Sequence, residues 1–518
     1  MNKSEKYDII IIGGGVTGAG IFYQSVFSGL KTILLEAKDF SFGTSSRTGK
    51  LVHGGYRYLL NRQIGVSYHS IREREDLIKH SRNLVNRVPF LYLMQQSNNI
   101  DYIEKYTAMF FYHLFSGNFG FRTYSCEEIK NILKKLGTQS QRGGFGFSEG
   151  STDDARLTQR LIFDGIQMGG TAKNYLKVFE LLKDGKGLVR GVGVKNQTEN
   201  GGDSEFEIHA NVVINATGIW LDDLCGGLGC EPRIRKQRGS HLILDRKNIP
   251  LDYGMMFNHP NDNRIQFALP WYDTIVFGTT DLDEKSSDGY LNDEPGISQK
   301  EIDYLLYSLQ DIFPNVDIRA SDIISTFCGI RPIIKNKAAH PSSSSRKHKI
   351  WDDSGMISIA GGKLTTFQLM AFNALEMSKK YIGRQINASA KHAFISNSEN
   401  NKNNTTENNG SNPNVYSRYG LRSNEFLKMS SVSDEGMIKG TPYQWKDLHW
   451  AAKNEMVVHL DDLLLRRTRF GHLLRQGGVA HIQKIKDITK NDLSWDDEKW
   501  AYEIKRYKKI WKSNYSLP

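Results

Sequence analysis

Apolar and polar positions along the chain fall into blocks of two kinds. Residues 7–12, YDIIII, are a continuous apolar run that ends in glycines, and small and apolar residues follow at helical spacing. A strand, a turn and a helix are predicted there. Residues 30–36, LKTILLE, predict a second buried strand, which completes a βαβ unit within the first forty residues. Further strands are predicted at 191–195, 211–215, 241–244, 265–269, 274–277 and 356–360, and helices at 154–168, 298–312 and 363–381. Residues 67–87 are charged and periodic and read as a surface helix. Strand-rich and helix-rich stretches alternate in blocks rather than one by one, which predicts a nucleotide-binding domain assembled from separate segments with a substrate domain threaded between them.

The pattern changes after residue 395. SNSENNKNNTTENNGSNPN, 396–414, is almost free of apolar residues and reads as a disordered linker. Beyond it HLDDLLLRRTRFGHLLRQ and DEKWAYEIKRYKKIWK read as helical. The predicted fold is therefore α/β: a Rossmann-type cofactor domain (1–80, 150–230 and 325–390), a β-rich substrate-binding domain inserted in it (81–149 and 231–324), and a C-terminal helical domain (415–518).

A chain of 518 residues is long enough for two or three such domains. With 39% hydrophobic and 24% charged residues it is of globular rather than disordered composition. No apolar run reaches the length of about 18 needed for a membrane span. The N-terminus enters a strand without a secretion signal, so a cytoplasmic location is expected. Four cysteines without CxxC or zinc-like spacing predict reduced thiols and no metal. The net charge is +11, and from residue 412 onward 19 Lys and Arg face 13 Asp and Glu. An anionic partner is implied. No helix-turn-helix, zinc finger or RNA-binding aromatic motif is present, so nucleic acid is not expected.

Gly13, Gly15 and Gly18 follow the first strand, and Glu36 ends the second. In that order, glycines allow a tight turn and bring backbone N–H groups at a helix N-terminus close to a pyrophosphate, while the acid accepts from ribose hydroxyls. NAD and FAD both use this fingerprint. VVINATGIW (212–220) and ISIAGGKLTTF (357–367) are strands that end in small residues, as backbone lying against a ring requires. The second could aim a positive helix end at an anionic reduced flavin. Between Asp39 and Glu73 there is no acidic residue, while Arg47, Lys50, Arg57, Arg62 and Arg72 accumulate beside His53 and a glycine pair. Arg62 and Arg72 read as solvated surface charges.

TSSRTGKLVHGGYRYL, DDARL, NATGIW, RGSHLIL, GTTD, CGIRP and GGKLTTF stand in the order, and at about the spacing, of FAD-dependent glycerol-3-phosphate dehydrogenases. The sequence resembles this family of flavoproteins, of the D-amino-acid-oxidase-like superfamily, over roughly residues 7–377, and LDDLLLRRTR extends the match into the helical domain. The resemblance implies FAD as cofactor and oxidation of sn-glycerol 3-phosphate at C2 to dihydroxyacetone phosphate, with hydride transfer to flavin N5 and electrons passed to a membrane quinone. It implies catalytic roles for His53, Arg57, Arg331 and Lys363, and substrate binding by Tyr58 and Arg346. For FAD it implies Gly13, Gly15, Gly18, Glu36, Thr44, Ser45, Ser46, Gly218 and Gly362. Tyr56 departs from the aliphatic residue many members carry between HGG and RY.

The residue chemistry agrees with that division. A phosphate monoester is close to a dianion, and bidentate arginines such as Arg57, Arg331 and Arg346 suit it best. Oxidising a secondary alcohol by hydride transfer requires a base for the hydroxyl proton, and His53 titrates in the right range. His241 fits core or loop packing better. Lys363 would oppose the dipole at a helix start unless an anion lay nearby.

In the last helix Trp500, Ile504, Tyr507 and Trp511 share one face, with Lys505, Arg506, Lys508, Lys509 and Lys512 largely elsewhere. That stripe suits either an anionic lipid surface or docking on the chain's own domain. The expected partners are glycerol 3-phosphate, a quinone and the inner face of the cytoplasmic membrane, with a homodimer as a further candidate. Two other functions compete: a soluble oxidase that returns electrons to oxygen, and a non-catalytic flavin-binding module of an RNA-modifying or assembly complex.

Overall fold

The N-terminal apolar run forms strand β1 (Tyr7–Ile12), and helix α1 (Val16–Phe27) and strand β2 (Thr32–Leu35) follow it. The computed structural model describes residues 6–81, 83–94, 99–117, 121–138, 142–198, 204–283, 294–335, 347–383, 414–429 and 436–518. The predicted linker lies outside these residues except for Asn414, where the short helix Asn414–Tyr419 begins.

β1 pairs in parallel with β2 on one side and with the end of strand Glu205–Asn215 on the other. Thr171–Lys173 continues the parallel sheet beyond β2, and Met356–Ala360 continues it beyond Glu205–Asn215. Four separated parts of the chain thus build one Rossmann-like sheet. Its strands are apolar without alternation because both faces are covered. Ile9, Ile11 and Leu34 pack against α1 and the helices Asp154–Gln167 and Phe367–Ile382. Ile10, Ile12, Ile33 and Leu35 pack against the hairpin Leu176–Lys183 and Val189–Asn196. Each fully buried aliphatic side chain contributes about 1.5–3 kcal/mol.

The inserted domain is a ten-stranded sheet. It is antiparallel except where Gly254–Asn258 runs alongside Val85–Leu93. Strand Ile323–Ile334 pairs along Ile234–Asp245, with Gln237 opposite Arg331, so a strand that crosses position 325 belongs to this sheet. Helix Gln299–Ile312 covers one face, and the third, helical domain packs against the other.

One predicted element differs in extent and in character. The helix expected over 67–87 spans Ile64–His80, and Val85, Asn86 and Arg87 open strand Val85–Leu93. Between them Asn83 takes the left-handed φ of 64° that breaks the chain direction. The helix is also no mere surface element, because Ser67, Ser70, Ile71, Arg74 and Leu77 are buried.

In the helical domain HLDDLLLRRTRFGHLLRQ forms a π-helical turn, Asp462–Arg467, and then a short helix, Phe470–Leu473. Its first three arginines, Arg466, Arg467 and Arg469, point into the molecule. Asp39, four residues after β2, accepts from Arg466 Nε at 2.5 Å and from Arg467 Nη1 and Nη2 at 2.7 and 2.6 Å. Arg469 binds Asp153 at 2.7 Å and also Asp154, and Arg156 grips Glu455 with both terminal nitrogens at 2.8 and 3.0 Å. All of these groups are buried. Burial alone would raise the Asp39 carboxyl, yet Arg467 and Arg466 hold it below the ordinary carboxylate range. Part of the C-terminal positive surplus is therefore internal, which corrects its reading as an anion-seeking surface.

The last helix, Asp497–Asn514, resolves the two readings of its stripe. Trp500 and Tyr507 are buried, Ile504 and Trp511 pack beside them, and Tyr507 and Trp511 donate to the carbonyls of Gly477 and Gly471 at 2.6 and 2.7 Å. The apolar face is consumed by the chain's own core. Among the described residues no helix is long and apolar enough to cross a membrane.

Candidate active site

One cavity of about 1520 Å³ runs from the β1–α1 turn to the inserted sheet. At its first end stand Gly13, Gly15 and Glu36. Gly13 has φ 108°, and a Cβ there would come within 2.7 Å of the Ala216 carbonyl oxygen, so only glycine lets the turn pass the neighbouring strand. Glu36 closes the turn: its carboxylate accepts from the amides of Gly14 at 2.6 Å and Lys38 at 2.9 Å. Burial raises its pKa in spite of those bonds. No side chain of the N-cap residue Gly15 caps α1, and Ser45 Oγ accepts from the Val16 amide at 2.8 Å. The arrangement is a cradle of backbone N–H groups and one carboxylate, which fits the pyrophosphate and ribose of a dinucleotide.

Thr44 and Ser45 line the same cavity, as do Gly218 and Gly362, both with positive φ. Gly18 does not. A side chain there would overlap the Gly13 carbonyl, so Gly18 serves the close packing of α1 on the turn. Ser46 is buried behind the wall, with its carbonyl held by Lys50 Nζ at 2.8 Å. These two positions support the cradle without facing it.

Away from that turn the cavity is also lined by His53, Arg57, Tyr58, Arg331 and Lys363. Gly55, with φ 81°, starts the short helix Tyr56–Leu60 that carries Arg57 and Tyr58. The Lys363 ammonium lies 4.0 Å from the centre of the Tyr58 ring, and the Tyr58 and His53 rings stack at 6.4 Å. Thr365 Oγ1 donates to the His53 carbonyl at 3.0 Å, which ties the GGKLTTF turn to the HGG turn. Arg331 reaches in from strand Ile323–Ile334, its nitrogens donating to Thr279 Oγ1 at 2.9 Å and to Asp281 at 3.2 Å. Arg346 lies outside the described residues.

The acid-free stretch divides in two. Arg57 faces the cavity, whereas Lys50 is fully buried against Asp154 at 2.9 Å, and burial pushes its ammonium down to about 8 despite that partner. Arg47 lines the cavity wall, held by Glu294, by the Tyr515 hydroxyl at 2.9 Å and by the Phe42 carbonyl at 2.7 Å.

His241 is packed in the core as its sequence reading expects, and it also borders the cavity. It lines the cavity, fully buried and stacked on Phe327 at 4.7 Å. Burial, then the cations of Arg331 and Lys50, push its pKa well below the usual histidine value, so the ring is neutral at physiological pH. Its motif, GSHL, gives no sign of this, because the cavity wall forms only when Ile234–Asp245 pairs with Ile323–Ile334. Glu149 is a second cavity residue that sequence reasoning missed. So are Asp461 and Arg506, which the helical domain contributes to the wall.

Residues 8–366 match the model of the FAD dependent oxidoreductase family, and residues 402–500 match that of the C-terminal domain of alpha-glycerophosphate oxidase. The chain belongs to the FAD dependent oxidoreductase family. Among the relatives of this flavoprotein is an aerobic glycerol-3-phosphate dehydrogenase of Staphylococcus saprophyticus, 30% identical over 96% of this chain and 93% of its own length. The corresponding Staphylococcus haemolyticus protein is 31% identical over 95% of this chain and 91% of its own length. The fold is that of the glycerol-3-phosphate dehydrogenase of Bacillus halodurans, solved with FAD, at a TM-score of 0.74 and 23% identity over 99% of this chain and 96% of that one. The L-alpha-glycerophosphate oxidase of Mycoplasma pneumoniae shares it over 75% of this chain and 98% of its own, at a TM-score of 0.57 and 16% identity. FAD is the cofactor of the flavoprotein, and the cradle around Gly13, Gly15 and Glu36 fits its pyrophosphate and ribose.

Proposed function

We propose that this flavoprotein oxidises sn-glycerol 3-phosphate at C2 to dihydroxyacetone phosphate and delivers the electrons to a membrane quinone. The observation that carries the reading is that Arg57, Arg331, Lys363 and His53 line one cavity together with the cofactor turn. Three cations suit a phosphate dianion, and two are guanidinium forks. FAD, when bound, supplies the two-electron acceptor. His53 takes the hydroxyl proton as base. His241 is the second candidate for that proton, because it is neutral and stands in the same wall. The Asp281 and Thr279 partners of Arg331 hold its guanidinium toward the pocket.

Quinone access is supported by a surface the sequence did not point to. On helix Asn99–Ser116 the side chains of Ile100 and Ile103 are 77% and 62% exposed, and Phe110, Phe111 and Leu114 are exposed beside them. Ile64 and Tyr68 of helix Ile64–His80 are exposed as well. An apolar patch of this density marks an interface with a membrane or a protein. We therefore assign membrane docking to this face rather than to the last helix.

The test is anaerobic mixing of the FAD-loaded protein with glycerol 3-phosphate, followed by reoxidation with a quinone analogue or with oxygen. Bleaching of the flavin absorbance and faster reoxidation by quinone are expected. No bleaching rejects the dehydrogenase, and reoxidation by oxygen alone makes the protein an oxidase. Flotation with anionic vesicles, lost in Phe110→Asp with Phe111→Asp, checks the docking face. A dimer that the same pair of changes dissociates would reassign the face to self-association.

A further inference from the structure

The helix Ile64–His80 turns a polar face inward. Ser67, Ser70 and Arg74 are spaced three and four apart, so they share one side, and all three are buried. Each meets a different part of the substrate end. Ser67 Oγ donates to the Gly55 carbonyl at 3.0 Å. Ser70 Oγ donates to the Val66 carbonyl at 2.7 Å, which turns its lone pairs toward Lys363, whose Nζ donates to it at 2.6 Å. Arg74 Nη1 donates to Glu149 Oε2 at 2.8 Å and to the Tyr112 hydroxyl at 2.7 Å. Glu149 Oε2 in turn accepts the Gly54 amide at 3.0 Å, and its other oxygen accepts from the Tyr112 hydroxyl.

The contacts fix the turn from both sides. A Cβ on Gly54 would collide with the Tyr112 hydroxyl, and Gly55 is left-handed, so the HGG turn has little freedom once these partners are in place. His53 precedes that turn and Arg57 follows it. A buried carboxylate is stable only when its charge is met, and Arg74 meets it. A fully buried serine, a second serine and an arginine on one helix face are a costly pattern for a helix whose other inward residues, such as Ile71 and Leu77, are apolar.

We propose that Ser67, Ser70 and Arg74, with Glu149 as the linking carboxylate, are the positioning frame of the substrate end. Ser70 aims the Lys363 ammonium, and Glu149 sets the His53 turn through the Gly54 amide. The frame rests on the functional reading above.

The experiment uses the FAD-loaded full chain as wild type, Ser70→Ala, Ser70→Thr and Glu149→Gln. Ser378→Ala, another buried serine bonded within its own helix, serves as control. Titration with inorganic phosphate, followed through the flavin spectrum, gives a Kd, and anaerobic reduction by glycerol 3-phosphate gives a rate constant at saturation. A hydrogen bond to a charged group supports changes of about tenfold. Ser70→Ala is expected to weaken phosphate about tenfold, and Ser70→Thr to restore it. Glu149→Gln is expected to slow saturated reduction about tenfold with little change in phosphate Kd. Ser378→Ala is expected to leave both unchanged. Where Glu149→Gln yields no folded protein, Tyr112→Phe carries the same test. Wild-type phosphate affinity in Ser70→Ala, a wild-type rate in Glu149→Gln, or equal losses in the control overturn the frame. If glycerol 3-phosphate reduces no form, wild type included, the functional reading fails, and the phosphate titration alone decides the frame.

Discussion

The arginines at 466, 467 and 469 and those at 57 and 331 are the same residue in two different employments. The first three are buried and enclosed by Asp39, Asp153, Asp154, Asp461 and Asp462. The other two are half-buried and line a cavity, and Arg331 keeps 24% of its side chain exposed. A buried guanidinium paired with fixed carboxylates holds domains together. One with a carboxylate on one side and a cavity on the other is placed to bind an anion that comes and goes. Counting charges along the sequence merges the two sets.

The comparison can be broken at either end. Asp39→Ala leaves Arg467 buried without its carboxylate and Arg466 with only Asp461 and Asp462, and removing one partner of a buried pair costs about 3–5 kcal/mol. A large fall in the urea midpoint is expected, with FAD lost only as the protein unfolds. Normal stability would show that water replaces the carboxylate. Arg331→Ala should leave that midpoint nearly unmoved and raise the KM for glycerol 3-phosphate by roughly ten- to a hundredfold, the equivalent of about 1.5–3 kcal/mol. Equal loss of FAD would move Arg331 to the cofactor.

A pH series sharpens the buried side. Burial alone would raise the Asp153 carboxyl, but Arg469 brings it down to about 2. A depressed pKa in the folded state gives stability that is complete above the ordinary carboxyl value near 4 and lost as pH falls toward 2. The cost of Asp153→Asn is therefore expected to be constant from pH 7 to 5 and to shrink below pH 4. A cost independent of pH would mean that the Asp153 carboxyl is not depressed in the folded protein. The smallest effect belongs to Lys508→Ala and Lys509→Ala on the exposed side of the last helix. Each should lie within about 0.5 kcal/mol in stability.

The sequence shows the cofactor end well because its physics is local. A strand, three glycines and an acid are contiguous, and the continuous apolar runs 7–12 and 30–36 report a sheet covered on both faces. Gly18 and Ser46 show the limit, since a motif does not say which members face the ligand and which pack the turn. Arg57, Arg331 and Lys363 stand out in the sequence and line the cavity, whereas the cavity positions of His241 and Glu149 depend on segments 86 and 95 residues apart coming together. The helix 64–80 reads as surface in the sequence because Ser67, Ser70 and Arg74, half of its buried residues, are polar, and periodicity counts polar residues as outward.

Asp39 leaves the ribosome 427 residues before Arg466, the first of the two arginines that neutralise it. At about 5–20 residues per second this is a wait of roughly 20–85 s. The cofactor sheet can align its strands in that interval, but the Asp39 carboxylate must stay in water until the last fifty or so residues arrive. The RRTR segment thus acts as a clasp that closes late, and a nascent chain stopped short of it would carry a finished-looking nucleotide fold with an open, charged seam.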